Sequence, residues 1–391
     1  MLTARVCRDA RFRRLHARAF FADSIEIGFD DLRGLRVGEA AVGRRHFLRA
    51  GHVPLVGFLR TVALVEQVDD LNGEAARQAL FDARTAIVTR GHTAELKDGS
   101  ITPRGFELEF EEVPVIIHAF RRMVRGLDFD VSEMAITTYI CARAHGTRFT
   151  ALPVFPMRAF HHGAIVCNAN AGISSPKDLE GKKVGVNRGY TVTTGLWARS
   201  ILQDEYGVDL SRITWVLSGD EHVAEYQPPP NVIPVEQGRK LEDLVLSGEV
   251  PAAIGVQIDS PDVRPLIPNA KEAGFRALRE RGLYPINHTV VVKDDLLSAH
   301  PDLAVNLATA FAEAKRPYLQ RLASGSLEEP SKDDAVFRTV MEMTGDPLPY
   351  GIEPNRHVLE ALIQHALTQR IIPRGIEVED LFPPSTHDFR A

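Results

Sequence analysis

Cysteine is scarce in this 391-residue chain: there are three, Cys7, Cys141 and Cys167, with no Cys-x-x-Cys pair. An odd, scattered count argues against a disulfide framework and a zinc ribbon and suits a reducing compartment. Each cysteine reads first as a small buried apolar residue. No run approaches the roughly 20 apolar residues that a membrane-spanning helix needs. Excess positive charge is missing too. Forty-six Lys and Arg stand against 52 Asp and Glu, so there is no bulk attraction to nucleic acid. No His-x-His or His-x-x-x-His pair occurs on one element, so although two histidines and a carboxylate can bind a divalent ion, a metal is not expected. Internal repeats and low-complexity segments are also absent.

What is present is length for two or more domains with full cores and an ordinary soluble composition. The first 60 residues differ from the rest, with twelve arginines against six acids. Within them Arg44-Arg45-His46-Phe47-Leu48-Arg49 faintly resembles a twin-arginine export motif. The apolar stretch after it is short, Arg60 interrupts it, and no small-residue cleavage site follows, so a cytoplasmic location is expected. Residues 1–83 are read as an Arg-rich extension, with a helix over 62–83 from the loose recurrence of Val62, Val65, Leu71, Ala75 and Leu80.

From Thr85 onward short apolar strands alternate with helices. Strands are expected at Thr85–Thr89, Phe106–Val113, from Phe129, at Thr150–Phe155, Ala164–Asn168, Lys183–Val186, Ile213–Leu217, Val232–Pro234, Ala252–Val256 and Thr289–Val292. Helices are expected at Ile116–Arg125, Thr191–Tyr206, Leu241–Ser247, 302–322, 331–344 and Arg356–Gln369. Such alternation predicts an α/β architecture with a mainly parallel sheet. In that layout ligands sit where strand ends meet helix starts. Arg158, His161, His162, Tyr190, Thr193 and Arg199 fall near those junctions and are placed to hold a small anion.

The segments Asp130–Met134 (D-V-S-E-M), Phe155–His162 (F-P-M-R-A-F-H-H), Asp178–Val186, Trp197–Val208, His288–Val292, His300–Ala304 and Gly351–Arg356 occur in one order. Together they resemble the 4,5-dihydroxyphthalate decarboxylase family over about residues 84–385. The resemblance implies a two-lobe type II periplasmic-binding-protein-like fold with a ligand cleft between the lobes. Lobe one would hold 84–166 plus 290–391, and lobe two 167–289. It also implies decarboxylation of 4,5-dihydroxyphthalate, or a close hydroxylated phthalate, to protocatechuate and carbon dioxide. The partner would be a small aromatic dicarboxylate, with no nucleic acid, membrane or organic cofactor, and self-association is left open. The loops Asn187–Thr194 and Gln257–Val263 depart from the family pattern, and both would face the ligand. The alternative is a solute-binding protein that captures a small carboxylate for a transporter, since one fold serves both.

Aromatic decarboxylation needs a clamp on the carboxylates, a polarised phenol and a proton delivered to carbon. Arginine suits the clamp because its planar fork donates two parallel hydrogen bonds. Arg158 is the first choice and Arg188 the second. Thr193 can add a hydroxyl and helix N-terminal amides, a role compatible with plain capping. His162, His92 and His288 match family positions at strand ends and are candidate proton carriers. Each alone is more often a hydrogen-bonded structural residue, and three at such positions favour a chemical role for one of them. His161, one residue away, is expected to face away from His162. Ser132 and Glu133 sit where a strand meets a helix. Glu133 can orient a histidine or accept a phenolic proton; otherwise it is a first-turn acid favoured by the helix dipole. Tyr190 completes the binding set. Arg199 is expected in a surface or interlobe ion pair, and Asn355 as a helix N-cap.

Overall fold

The computed structural model describes residues 81–391. The Arg-rich segment and the helix expected over 62–83 lie outside the described residues, except that Phe81–Ala83 open a strand instead.

In chain order the elements are β1 (Phe81–Ala86), α1 (Ala94–Lys97), β2 (Phe106–Phe110), α2 (Ile116–Gly126), β3 (Val131–Ala135), α3 (Ile136–Ala144) and β4 (Phe149–Arg158). There follow β5 (Ile165–Asn168), β6 (Lys183–Val186), α4 (Thr193–Tyr206), β7 (Thr214–Leu217), β8 (Val232–Pro234), α5 (Leu241–Leu246), β9 (Ala252–Ile254), β10 (Val263–Pro265) and α6 (Ala270–Arg281). The chain ends with β11 (Ile286–Lys293), α7 (Asp294–Ala299), α8 (Leu303–Ser324), α9 (Lys332–Thr344) and α10 (Arg356–Thr368).

The strands form two sheets, one ordered β2-β1-β3-β11-β4 and the other β10-β5-β9-β6-β7-β8. Each sheet anchors one lobe, and the chain crosses between them after β4 and again before β11, the two-lobe arrangement that the resemblance implies. In the first sheet β1 runs parallel to β2 and β3, whereas β11 is antiparallel to both β3 and β4. The second sheet is parallel through β9, β6, β7 and β8, with β5 and β10 antiparallel at one edge. The sheets are therefore more mixed than strand–helix alternation predicts. A chain that leaves the first sheet on β4 and returns beside it on β11 must reverse direction there.

Burial follows the sequence pattern. Val290, Val291 and Val292 of β11 are fully buried because helices cover both faces of a central strand. Helix α8 sets Leu303, Leu307, Phe311 and Ala314 at helical spacing into the first lobe's core. Helix α4 buries Trp197 and Ile201, and the Trp197 indole donates 2.9 Å to the Ile286 carbonyl, tying the second lobe to the crossing strand. Every residue of β3 is buried, including Ser132 and Glu133. An ionisable residue in such a strand must have its partners supplied by the fold.

Candidate functional site

Glu133 is fully buried and saturated with donors. Arg90, in the loop after β1, grips it with two nitrogens at 2.7 and 2.8 Å, and the Val88 amide donates at 3.1 Å. His288 on β11 donates from Nδ1 at 2.5 Å. Burial alone would push the Glu133 carboxyl up. Arg90 and His288 outweigh it and hold the group well below the usual carboxylate range. A carboxylate only accepts, so the His288 proton is assigned to Nδ1, and Nε2 is left without a partner among the described residues. The imidazole packs edge-on against Phe120 of α2, with ring centres 5.1 Å apart.

Phe120 also meets His222, which follows β7 in the other lobe, at 6.4 Å. His222 Nδ1 lies 3.1 Å from the Thr138 hydroxyl. The start of α3 touches the start of α4, because the Thr137 amide donates to the Thr193 hydroxyl at 3.3 Å. Two helix N-termini, both favourable to an anion, thus converge at the lobe junction. Three buried polar atoms here have no partner among the described residues: Thr137 Oγ1, His222 Nε2 and Arg121 Nε. Unpaired buried groups are costly, and a ligand able to satisfy them is the physical reason to keep them.

The junction is cationic. Arg121 and Arg125 of α2 both reach Asp220 across it, at 2.5 and 3.0 Å, and Arg125 Nε donates to the His222 carbonyl at 3.2 Å. Arg188 is exposed and has no ion-pair partner among the described residues. Its backbone is left-handed, with φ of 70°, a conformation unusual for a non-glycine residue and one often found where function demands it. Burial, then the neighbouring Arg121 and Arg188, lower His222 to about 4, so it is neutral at pH 7. Glu221 secures the loop before α4 by accepting from the Tyr190 and Thr191 amides and the Thr191 hydroxyl. Gly189 is required there, since an added Cβ would stand 2.5 Å from the Glu221 carboxylate.

Glu133, His288, Thr193 and Arg188 therefore gather at one junction. Other expected residues lie elsewhere. His162 sits between α4 and α6, bonded through Nε2 to Glu205 at 3.0 Å. Glu205 is twelve residues along α4 from Thr193, about 18 Å at the helical rise. Arg158 is held by the Asn355 side chain and the Tyr284 carbonyl, both at 2.5 Å. Arg158, His162 and Thr193 share no hollow. His92 bonds the Pro156 carbonyl at 2.9 Å, and His161 bonds Asn287 at 3.1 Å; β4 ends at Arg158, so strand alternation does not govern His161 and His162. Ser132 donates to the Glu133 carbonyl at 2.8 Å. The Tyr190 ring is buried under the Arg199 guanidinium at 3.8 Å. Arg199 is fully buried and joined to Gln369 and the Tyr190 carbonyl, which corrects the expected ion pair: no carboxylate among the described residues bonds it. Asn355 spends its side chain on Arg158, Pro349 and Gly351 rather than on a cap.

Sequence reading missed Arg90, Phe120, Arg121, Thr137 and His222. His222 carried a usable signal, since Ser218-Gly219-Asp220-Glu221-His222 follows a strand just as the chosen loops do. Among the described residues no three His, Cys, Asp or Glu side chains are grouped to hold a metal ion. No described helix is long and apolar enough to cross a membrane.

No family model matches the chain. It is 32% identical over 284 residues to the 4,5-dihydroxyphthalate decarboxylase of Comamonas testosteroni, spanning 68% of this chain and 86% of that protein. The chain belongs to the 4,5-dihydroxyphthalate decarboxylase family. A second relative, the 4,5-dihydroxyphthalate decarboxylase of Pseudomonas putida, is 37% identical over 150 residues, covering 36% of this chain and 57% of that protein. By family the chain is an enzyme, a carboxy-lyase, and capture of a solute for a transporter is not the reading these relatives favour. Among solved structures, the periplasmic aliphatic sulphonate binding protein SsuA from Escherichia coli aligns over 78% of this chain and 99% of its own, with TM-score 0.44 at 14% identity. The desulfurization enzyme DSZB aligns over 79% and 98%, with TM-score 0.44 at 15% identity. These two likenesses carry no weight for function.

Proposed function

We propose that this decarboxylase-family chain converts 4,5-dihydroxyphthalate, or a close hydroxylated phthalate, to protocatechuate and carbon dioxide at the lobe junction. The observation that carries the reading is the Glu133–His288 pair. A carboxylate locked by Arg90 orients the imidazole through Nδ1, while Nε2 is kept for the substrate.

The ring hydroxyl para to the departing carboxylate supplies the electron push. His288, protonated on both nitrogens, gives its Nε2 proton to the ring carbon that bears this carboxylate. The C–C bond then breaks, carbon dioxide leaves, and the electron pair returns to the ring and restores aromaticity. His288 regains a proton from solvent, so one proton is consumed per turnover. Arg188, Arg121 and the N-termini of α3 and α4 hold the carboxylates, with Thr137 and Thr193 fixing their orientation. Neutral His222 offers Nε2 to a ring hydroxyl. Lobe closure over Phe120 removes water from the departing carboxylate, which is otherwise well solvated. The phenol is a built-in electron source, so no organic cofactor takes part.

The test is incubation of purified protein with 4,5-dihydroxyphthalate in heavy water. Carbon dioxide should be released, and the product should carry one deuterium at the vacated ring position. Folded protein that releases none overturns the reading.

A further inference from the structure

A cavity of about 280 Å³ lies where α6 of the second lobe faces α9 of the first, beside the end of β4. It shares no lining residue with the Glu133–His288 cluster. Its size is just under the roughly 300–1,000 Å³ of small-ligand pockets, enough for one ring. Phe160, Phe275, Tyr284 and Phe337 supply aromatic walls.

Arg158 lines this cavity and is 5% exposed. Among the described residues its hydrogen-bond partners are neutral oxygens, and Nε has none. Tyr284 underlies the guanidinium at 5.0 Å. Asp346, the carboxylate whose field acts on Arg158, is already bonded to buried Lys315 at 2.9 Å. Neutral oxygens satisfy donors but do not neutralise charge, so this buried cation has no anion of its own among the described residues. Burial lowers its pKa to about 10, which leaves it charged at neutral pH.

Two further features favour an anion. Ala270 and Lys271, the first residues of the twelve-residue α6, line the cavity, and the residue before them, Asn269, makes no side-chain cap. Lys271 is exposed and has no ion-pair partner among the described residues. Asp333 is the single acid on the lining, and it disfavours a second negative group.

We propose that this cavity is a second binding site for a monocyclic aromatic monocarboxylate, with its carboxylate toward Arg158 and the start of α6 and its ring among the four aromatics. The walls come from both lobes, so occupancy would favour their closed arrangement.

The probe is benzoate, titrated into the full chain by calorimetry, with 4-bromobenzoate located in crystals by its anomalous signal. The bromine should appear between Phe275 and Phe337. Val336→Trp, which fills the cavity, and Arg158→Met should each weaken benzoate by about tenfold or more, a difference of roughly 1.4 kcal/mol. Lys271→Glu, a surface change that spares the fold should Arg158→Met fail to fold, should weaken it severalfold. Arg188→Ala, at the lobe junction, should leave this binding unchanged. Bromine found only at the lobe junction, or benzoate affinity unaltered by both Val336→Trp and Lys271→Glu, overturns the proposal.

Discussion

Two histidine–carboxylate pairs in this molecule invite comparison. His288–Glu133 and His162–Glu205 are built from the same two side chains at 2.5 and 3.0 Å. Their surroundings separate them. Glu133 is fully buried, gripped by a bidentate arginine, and its histidine keeps one nitrogen free at a junction of two lobes. Glu205 also bonds Arg281, which is partly exposed, and the Nδ1 of His162 is buried without a partner between α4 and α6. A saturated carboxylate with an accessible imidazole is an acid–base arrangement. A half-buried carboxylate shared with a solvent-reaching arginine, beside an enclosed imidazole, is a tie between two helices.

The largest expected contrast comes from removing each negative charge without changing shape. Glu133→Gln leaves Arg90 partly buried with no counter-charge and His288 unoriented. Breaking a buried ion pair from one side costs about 3–5 kcal/mol. The unfolding midpoint in denaturant should fall accordingly, and turnover should be nearly lost. Glu205→Gln should cost less than about 1 kcal/mol, because Arg281 reaches solvent. Equal losses from the two substitutions would erase the distinction.

Next is the proton carrier itself. His288→Asn should lower kcat by about 100-fold or more, the scale of general-acid loss, with a modest effect on stability. His162→Asn should leave kcat within a few-fold of the parent. If His162→Asn is the inactive variant, the chemistry belongs between α4 and α6 and the lobe junction is structural.

Much of this fold is legible from residue pattern. Lys183–Val186 and Val232–Pro234 are strands at their expected bounds, and the long helices fall within a residue or two of expectation. Helix α6 escapes because Glu272, Arg276, Arg279 and Glu280 dilute its apolar face, and β10 is three residues ending in proline. The candidate site is half legible. Glu133 and His288 lie on β3 and β11, whose adjacency follows from family order and crossing strands. Arg90 and His92 share one loop. Chain direction there turns Arg90 toward Glu133 and His92 toward the Pro156 carbonyl, which residue type cannot reveal. Arg158 misleads for a related reason: Asn355, nearly 200 residues away in sequence, and the Tyr284 carbonyl hold it beside a cavity that includes neither Thr193 nor His288.

The contrast extends to imidazoles that have no carboxylate at all. His92, His161 and His222 are at most 4% exposed, and each is lowered to about 4, with burial the leading cause. In the unfolded chain they titrate near 6.5, so unfolding takes up protons between those values. Their contribution to stability is fully present above pH 6.5 and is lost as pH falls toward 4. Between pH 7 and 5.5 each should cost on the order of 1 kcal/mol. His161→Gln removes one such group while preserving a donor to Asn287, so its stability should fall less steeply over that window than the parent's. A parallel slope would mean that His161 titrates alike in the folded and unfolded protein, its bond to Asn287 offsetting its burial.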